Sequence, residues 1–396
     1  MILRRPLARA VAALIGALAL AVTLTPPVQA APPPGTGTPI TVMTRNVYLG
    51  GDITRPLKPV PGWPAQVPAE LQILHQSWLL RQTVDETDFR QRAVLLAREI
   101  QQTKPDVVGL QEVATWYSGP FDTDLPTDED GVVQPMASTL EYDFLALLRN
   151  ALRRVGVHYD VVHVQRESDV EAPAANVLGG FTNAANHRLV MHDVLLKRSS
   201  SRVKVEASGG KQYAAVLPVD IGGKGYEFIR GYNWADISVG AKRLRVINTH
   251  LESQLSSFAF WQAQELLATR VLPADRPVVV LCDCNSDPLN ATTKPDEPIV
   301  GIEHRAPYQL LTTHMDDAWL RTGTTDPGFT SGLNETVDEP PPASFTHRID
   351  LVLTRGLDGS VVPADQPVIV GADPANRTAS GLWPSDHAGV VVRLRP

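Results

Sequence analysis

The chain has little cysteine, only Cys282 and Cys284 in 396 residues. So few cannot staple a small-core scaffold, and a chain of this length must stand on its hydrophobic core. On one strand face and two residues apart, the two Cα atoms would be roughly 6.5–7 Å apart, at the upper end of disulfide geometry. Both are therefore expected to be small buried apolar residues, with a C-x-C metal site as the alternative. Positive charge is also short: 36 Lys and Arg face 43 Asp and Glu, a formal net charge of −7. That argues against a protein gripping nucleic acid by sheer charge, though not against a nuclease that uses metal ions where it cuts. Neither a lysine-rich cluster suited to polyphosphate nor an internal repeat is present. No clean linker follows Thr38. One domain fits better than two.

No apolar run is long enough for a comfortable membrane span. The longest, Val11 to Leu24, follows the basic residues Arg4, Arg5 and Arg9 and precedes the small-residue signal Val28-Gln29-Ala30. This is the pattern of an export signal cut before Ala31. Without a cysteine near the cut, a lipid anchor there is not expected. Arg4-Arg5 alone is weak evidence for twin-arginine export. Residues 1–30 read as signal peptide, 31–39 as a flexible Pro/Gly-rich leader, and 40–396 as the domain. The expectation is a secreted monomer without a stable membrane anchor. Removing three arginines with the signal takes the formal charge from −7 to −10.

Within the domain, Val278-Val279-Val280-Leu281 reads as a buried strand whose apolar run stops at Cys282-Asp283-Cys284-Asn285. Alternation points Asp283 and Asn285 to one side and the cysteines to the other. A carboxylate beside a carboxamide can hold a water and take its proton, or simply close a turn. The rest of the chain favours the first reading. Ile40 to Tyr48 is a strand carrying Asn46, and Asp106 to Val113 one closing on Glu112, a carboxylate that is costly beside an apolar run unless paired or metal-bound. Arg243 to Thr249 leads to His250, while Asp350 and the pair Asp386-His387 begin the last strands.

Helical spacing covers Phe89–Gln102, Leu140–Val155 and Phe258–Arg270, with a short helix within Pro307–Trp319. Arg188–Lys197 and Tyr226–Val239 alternate as strands. Strands alternating with helices indicate a layered α/β fold, in which strand-end loops build the sites. The acidic stretch Trp116–Pro135 fits no calcium loop and reads as a solvated insertion. Oxygen donors without thiolates suit a hard cation, Mg²⁺ or Mn²⁺. Histidines at such ends can donate to a phosphoryl oxygen.

Arg45-Asn46-Val47, Gly109-Leu110-Gln111-Glu112-Val113, Asn248-Thr249-His250-Leu251, Asp283-Cys284-Asn285-Ser286, Arg348-Ile349-Asp350 and Ser385-Asp386-His387 occur in that order. Together they resemble the endonuclease/exonuclease/phosphatase superfamily, with its DNase I-like fold, across Ile40 to Leu394. The resemblance implies a four-layer α/β sandwich of two packed, mostly antiparallel sheets flanked by helices. It implies Glu112 as principal metal carboxylate, with Asn46 and Asp386 near the ion. Asp283 would orient or deprotonate the attacking water, with Asn285 as its partner. His387 would contact the scissile phosphate, oriented by Asp350, and His250 would contact it too. Cys282 and Cys284 stand where the family has Gly and Phe, a departure of packing rather than of chemistry.

The function implied is that of a Mg²⁺-dependent phosphoric-ester hydrolase, most simply a phosphodiesterase or nuclease. Its substrate would be a nucleic acid or a phospholipid head group. Arg45 and Arg188 are the candidates for a nucleic-acid groove. A sphingomyelinase-like phospholipase C would want exposed aromatics, and Tyr226, Phe228, Tyr232 and Trp234 alternate on one face, a pattern that more often marks core. A phosphomonoesterase is a further alternative. A non-catalytic binding scaffold predicts loss of Glu112, Asp283, Asp350 or His387, and all four are present.

Overall fold

The structure is a computed structural model describing residues 38–396 except 65, 270, 274 and 358–365. The export signal and most of the leader read from the sequence lie outside the described residues. No helix among the described residues is long and apolar enough to cross a membrane.

The first sheet is built from β1 (Ile40–Asn46), β2 (Val107–Gln111), β3 (Thr115–Gly119), β4 (Thr139–Asp143), β5 (Tyr159–Asn176), β6 (Thr182–Arg198), β15 (Val368–Val370) and β16 (Gly389–Leu394). The second contains β7 (Lys204–Gln212), β10 (Gly231–Val239), β11 (Lys242–His250), β12 (Val278–Asp283), β13 (Asp316–Asp317) and β14 (Asp350–Arg355). A separate ribbon pairs β8 (Leu217–Ile221) with β9 (Lys224–Phe228). β1 with β2, and β11 with β12, are parallel, and the other ladders are antiparallel.

Period-two alternation sorts the strand residues into layers. Val42, Val107, Leu195 and Val392 of the first sheet face Val246, Val279, Leu281 and Val352 of the second. Met43, Val108 and Leu196 point the other way, onto α2 (Phe89–Thr103) and α3 (Phe144–Arg154). On the far side, Val278, Val280 and Leu353 pack on α4 (Ser256–Ala268) and α5 (Ala306–Thr312). Each fully buried Val or Leu here contributes about 1.5–3 kcal/mol relative to exposure. The result is the expected four-layer sandwich.

Several sequence readings need correction. Cys282 and Cys284 form a disulfide, with Cα atoms 5.1 Å apart. Extended-strand spacing fails because β12 ends at Asp283 and the chain turns, with Asn285 at φ 43°. Leu140–Asp143 is strand rather than helix because it pairs with β3, and the Asp143 carboxylate then caps α3 by accepting from Ala146 N at 2.8 Å. Tyr226–Val239 is two strands in different sheets, broken at Ile229-Arg230. Its aromatics Tyr226, Phe228 and Tyr232 are buried, and Trp234 stacks under Arg245.

Candidate active site

Pairing register brings the polar strand ends together. Parallel pairing sets Asn46 beside Gln111, the residue before Glu112, and His250 beside Asp283. Antiparallel pairing sets Asp283 beside Asp350, while β16 runs back along β1 from the Asp386-His387 loop. All eight candidate residues therefore lie at one edge of the two packed sheets. The sheets are stitched just behind that edge. Asn248 Nδ2 donates to Leu110 O at 3.1 Å, and its Oδ1 accepts from Gln111 Nε2 at 2.6 Å. Only glycine fits at 109, where a Cβ would sit 2.4 Å from Asn248 Oδ1.

Asp283 is at the centre. Its Oδ2 accepts from Asn46 Nδ2 at 2.8 Å and lies 3.5 Å from His250 Nε2 and 3.9 Å from His387 Nδ1. Its Oδ1 accepts from Asn285 N at 3.2 Å. Asn285 thus supports Asp283 through its backbone, while its side chain donates to Leu251 O at 2.9 Å. Burial pushes the Asp283 carboxyl up to about 7, with Asp350 and Glu112 adding to the rise and His387 opposing it.

His387 Nδ1 lies 2.8 Å from Asp350 Oδ2. Burial opposes its charge, but Asp350, Asp386 and Asp283 outweigh that and raise it well above the ordinary histidine value. His250 goes the other way. Burial, then the charges of Arg230 and His387, hold it well below the ordinary value. Two histidines of opposite tendency now flank one carboxylate.

Glu112 sits in left-handed backbone at φ 58°, as do Tyr48 at φ 61° and Asn285 at φ 43°. Such conformations cost non-glycine residues of order 1–3 kcal/mol and concentrate where function requires them. Glu112 Oε2 accepts from Leu49 N at 2.9 Å. Asp386 is pushed up to about 6 by burial, with His387 opposing and Glu112 adding to the rise.

The carboxylate oxygens of Glu112, Asp283 and Asp350 fit a hard cation in kind. Ligand atoms of Glu112, His250 and Asp283 fall within 4.8 Å of one another, as do those of Asp283, Asp350 and His387. Asp350 Oδ1 is buried with no hydrogen-bond partner among the described residues. Neither group includes Asp386. Asn46 has its carboxamide committed at both ends, Nδ2 to Asp283 and Oδ1 accepting from Tyr48 N at 2.8 Å, so its direct role is to hold Asp283.

The candidate groove arginines are committed inside the protein. Arg45, with no exposed surface, pairs with Glu99 at 3.0 Å and donates to His387 O at 2.5 Å. Arg188 makes a bidentate pair with Asp169, both contacts 2.7 Å. Sequence reasoning missed Arg92, which donates to Thr87 O, Val47 O, Pro384 O and Tyr48 O and so ties two site loops to α2. It also missed Arg230, Glu252, Glu167 and Asp193, all buried beside His250. Charged residues beside Thr-His-Leu and within otherwise alternating strands were the available signal.

Two packed sheets thus bring buried carboxylates and imidazoles together at one strand-end edge of a layered α/β protein. The chain belongs to the endonuclease/exonuclease/phosphatase family, whose sequence profile it matches over residues 46–387. The activities in that name are all hydrolyses of phosphoric esters. No curated protein sequence matches the chain. Among solved structures, it is similar to an endonuclease/exonuclease/phosphatase family protein from Bacteroides thetaiotaomicron, with 15% identity over 91% of this chain and 98% of that one and a TM-score of 0.49. It is also similar to a mannosyl-6-phosphatase of the same species, at 16% identity, 89% and 98% coverage and a TM-score of 0.46. A third is D. rerio TDP2 complexed with single-strand DNA product, at 15% identity, 91% and 100% coverage and a TM-score of 0.46.

Proposed function

We propose that the protein is a secreted, Mg²⁺-dependent phosphodiesterase that uses in-line attack by water. The observation carrying this reading is the cluster of Asp283 with the 2.8 Å Asp350–His387 pair and His250 around one point. Asp283, near 7, is matched to take a proton from water at neutral pH. His387, held charged by Asp350, donates to a phosphoryl oxygen as negative charge grows there. The new P–O bond forms to the water oxygen, whose proton passes to Asp283. The bond to the leaving alkoxide breaks, and the His387 imidazolium gives its own proton to that oxygen, which leaves the ring neutral and Asp283 protonated. Glu112, with Asp386 nearby, would hold the divalent cation, which when bound supplies Lewis-acid stabilisation of the phosphoryl oxygens.

A small diester suits this face better than a long polyanion, because Arg45 and Arg188 are spent on internal pairs, and better than a lipid surface, because Tyr226, Phe228 and Tyr232 are buried. Export is supported by the N-terminal pattern alone. The test is hydrolysis of bis-(p-nitrophenyl) phosphate, p-nitrophenyl phosphate, plasmid DNA and sphingomyelin vesicles with Mg²⁺, Mn²⁺ or EDTA. Metal-dependent diester cleavage that disappears in His387→Ala supports the reading. Monoester cleavage alone would make the protein a phosphatase, and no turnover by folded, metal-loaded protein would leave a binding scaffold.

A further inference from the structure

Arg230 lies in the short break between β9 and β10 and is 3% exposed. The next residue, Gly231, is the register partner of His250 across the β10–β11 ladder. The main chain there is pinned: Arg230 O accepts from Tyr213 N at 2.8 Å, and Gly231 O accepts from Thr249 Oγ1 at 2.8 Å. From this fixed start the guanidinium reaches His250, with Nη1 2.9 Å from Nδ1.

A guanidinium has five N–H donors and no acceptor. In a hydrogen bond between Arg230 Nη1 and His250 Nδ1, the imidazole nitrogen must therefore be the acceptor. An accepting Nδ1 carries no proton, so the ring's single proton is on Nε2. An imidazolium would set N–H against N–H, and like charge against like charge, at the same distance.

We infer that Arg230 is a positioning residue that locks His250 as the neutral Nε2–H tautomer, a fixed hydrogen-bond donor facing Asp283 and the phosphoryl group. This deepens the phosphodiesterase reading and rests on it for the identity of the acceptor. His387 has the reverse arrangement, with its Nδ1 against the Asp350 carboxylate. An arginine behind one imidazole and an aspartate behind the other divide the labour. His387 carries a proton and gives it up, whereas His250 donates a hydrogen bond without changing charge.

The arginine is itself held. Its Nε is 3.5 Å from Glu252 Oε2, and Glu252 Oε1 accepts from Ser253 N and Gln254 N, both at 2.8 Å. Glu252 and His250 are two residues apart at the end of one strand, so a single chain segment supplies both the imidazole and the counter-charge for its anchor. Burial opposes the Arg230 charge, but Glu252, Glu167, Glu112 and Asp193 outweigh it and raise the guanidinium above its ordinary value. The donor role at Nδ1 is thus permanent. The Nε2 atom is 3.5 Å from Asp283 Oδ2, too long for a full hydrogen bond, so its hydrogen is free to serve a substrate oxygen.

The test is long-range ¹H–¹⁵N correlation of the imidazoles in full-length mature protein with ¹⁵N-labelled histidine, assigned with His250→Gln. Spectra are taken at neutral pH in EDTA and again with Mg²⁺. The wild type should show His250 as Nε2–H, and Arg230→Lys, which keeps a charged donor, should preserve that pattern. The double variant Arg230→Met/Glu252→Gln removes both charges, so neither is left buried alone, and its melting curve reports whether it folds. It should show mixed tautomers and lose roughly 10- to 100-fold in kcat with little change in KM, as expected when a supporting partner is lost. An Nδ1–H or imidazolium signal for His250 in the wild type would overturn the inference, as would a folded double variant that keeps the pure Nε2–H form. The tautomer is read without turnover. If no ester is hydrolysed, the phosphodiesterase reading fails while the role of Arg230 is still decided.

Discussion

Replacing Asp283 with Asn should stabilise the metal-free protein, and the gain should grow with pH. Burial pushes the carboxyl from its ordinary 3.8 up to about 7. Below the ordinary value the group is protonated in both folded and unfolded chains and costs nothing. Between the two values only the unfolded chain is ionised, so folding must take up a proton. Above about 7 the folded carboxylate is ionised as well, and the penalty is complete. A difference of about three pH units corresponds to a ceiling of about 4 kcal/mol. The amide keeps the bond from Asn46 through its oxygen but loses an acceptor for Asn285 N, about 1 kcal/mol, and the attraction to His387. The net expectation is a gain of about 1–3 kcal/mol at pH 8 that fades towards pH 4. Urea denaturation in EDTA at several pH values measures it, beside loss of turnover in the same variant. A stability difference that is flat from pH 4 to pH 8, or a variant less stable at pH 8, would refute the reasoning.

Asp350→Asn should lower kcat by roughly 10²–10⁴-fold, the usual worth of a positioned acid or base; a loss under tenfold on the preferred substrate would remove Asp350–His387 from the mechanism. Chelation should abolish turnover, and Glu112→Gln should raise the Mg²⁺ concentration giving half-maximal rate; an unchanged Mg²⁺ titration would place the ion elsewhere. Glu99→Ala leaves the fully buried Arg45 without its carboxylate and should cost about 3–5 kcal/mol in urea denaturation. A cost below about 1 kcal/mol would mean that water reaches the guanidinium. Denatured, unreduced protein should show no free thiol, and replacing both cysteines should cost only about 1–2 kcal/mol because the closed loop is so small; titration of two thiols would dismiss the bond.

The strands nearest the site were legible because they are buried on both faces, as Val278–Leu281 is, and their apolar runs end abruptly in polar residues. α2 was legible for the analogous helical reason: Phe89, Ala93, Leu96 and Ile100 form one apolar stripe. α1 (Ala69–Glu86) was not, because its buried side mixes Leu74, Leu80 and Val84 with His75, Gln76, Arg81 and Thr83. β5 was hidden by bulges near Val161, Arg166 and Ala174, which break the alternation that marks a strand. The disulfide was misread by assuming that extended spacing continued one residue past the last ladder pair. Of the candidate site, the residues that converge at the sheet edge were visible as a set of chemically matched strand ends. Those that tune them were not. Arg230 meets His250 across a ladder whose register no local pattern discloses, and Arg92 binds carbonyls, which carry no side-chain signature.

Those hidden residues explain why the site has the charge pattern it has. At this buried edge, burial pushes the carboxyls of Asp283 and Asp386 up. The fold answers with cations placed behind the reacting groups rather than among them. Arg45 is paired with Glu99, and its Nη1 holds the carbonyl of His387, so its part is to position the loop rather than to supply charge. Among the described residues, the hydrogen-bond acceptors of Arg92 are carbonyls, and burial pulls it down to about 10, still charged at neutral pH and attracted to Asp386. Arg230 sets one histidine neutral, and Asp350 sets the other charged. The proton inventory at the sheet edge is therefore fixed by residues that need never touch the substrate. Within the proposed mechanism, Asp283 takes the proton when water attacks and His387 gives one to the leaving oxygen, while His250 keeps its charge throughout.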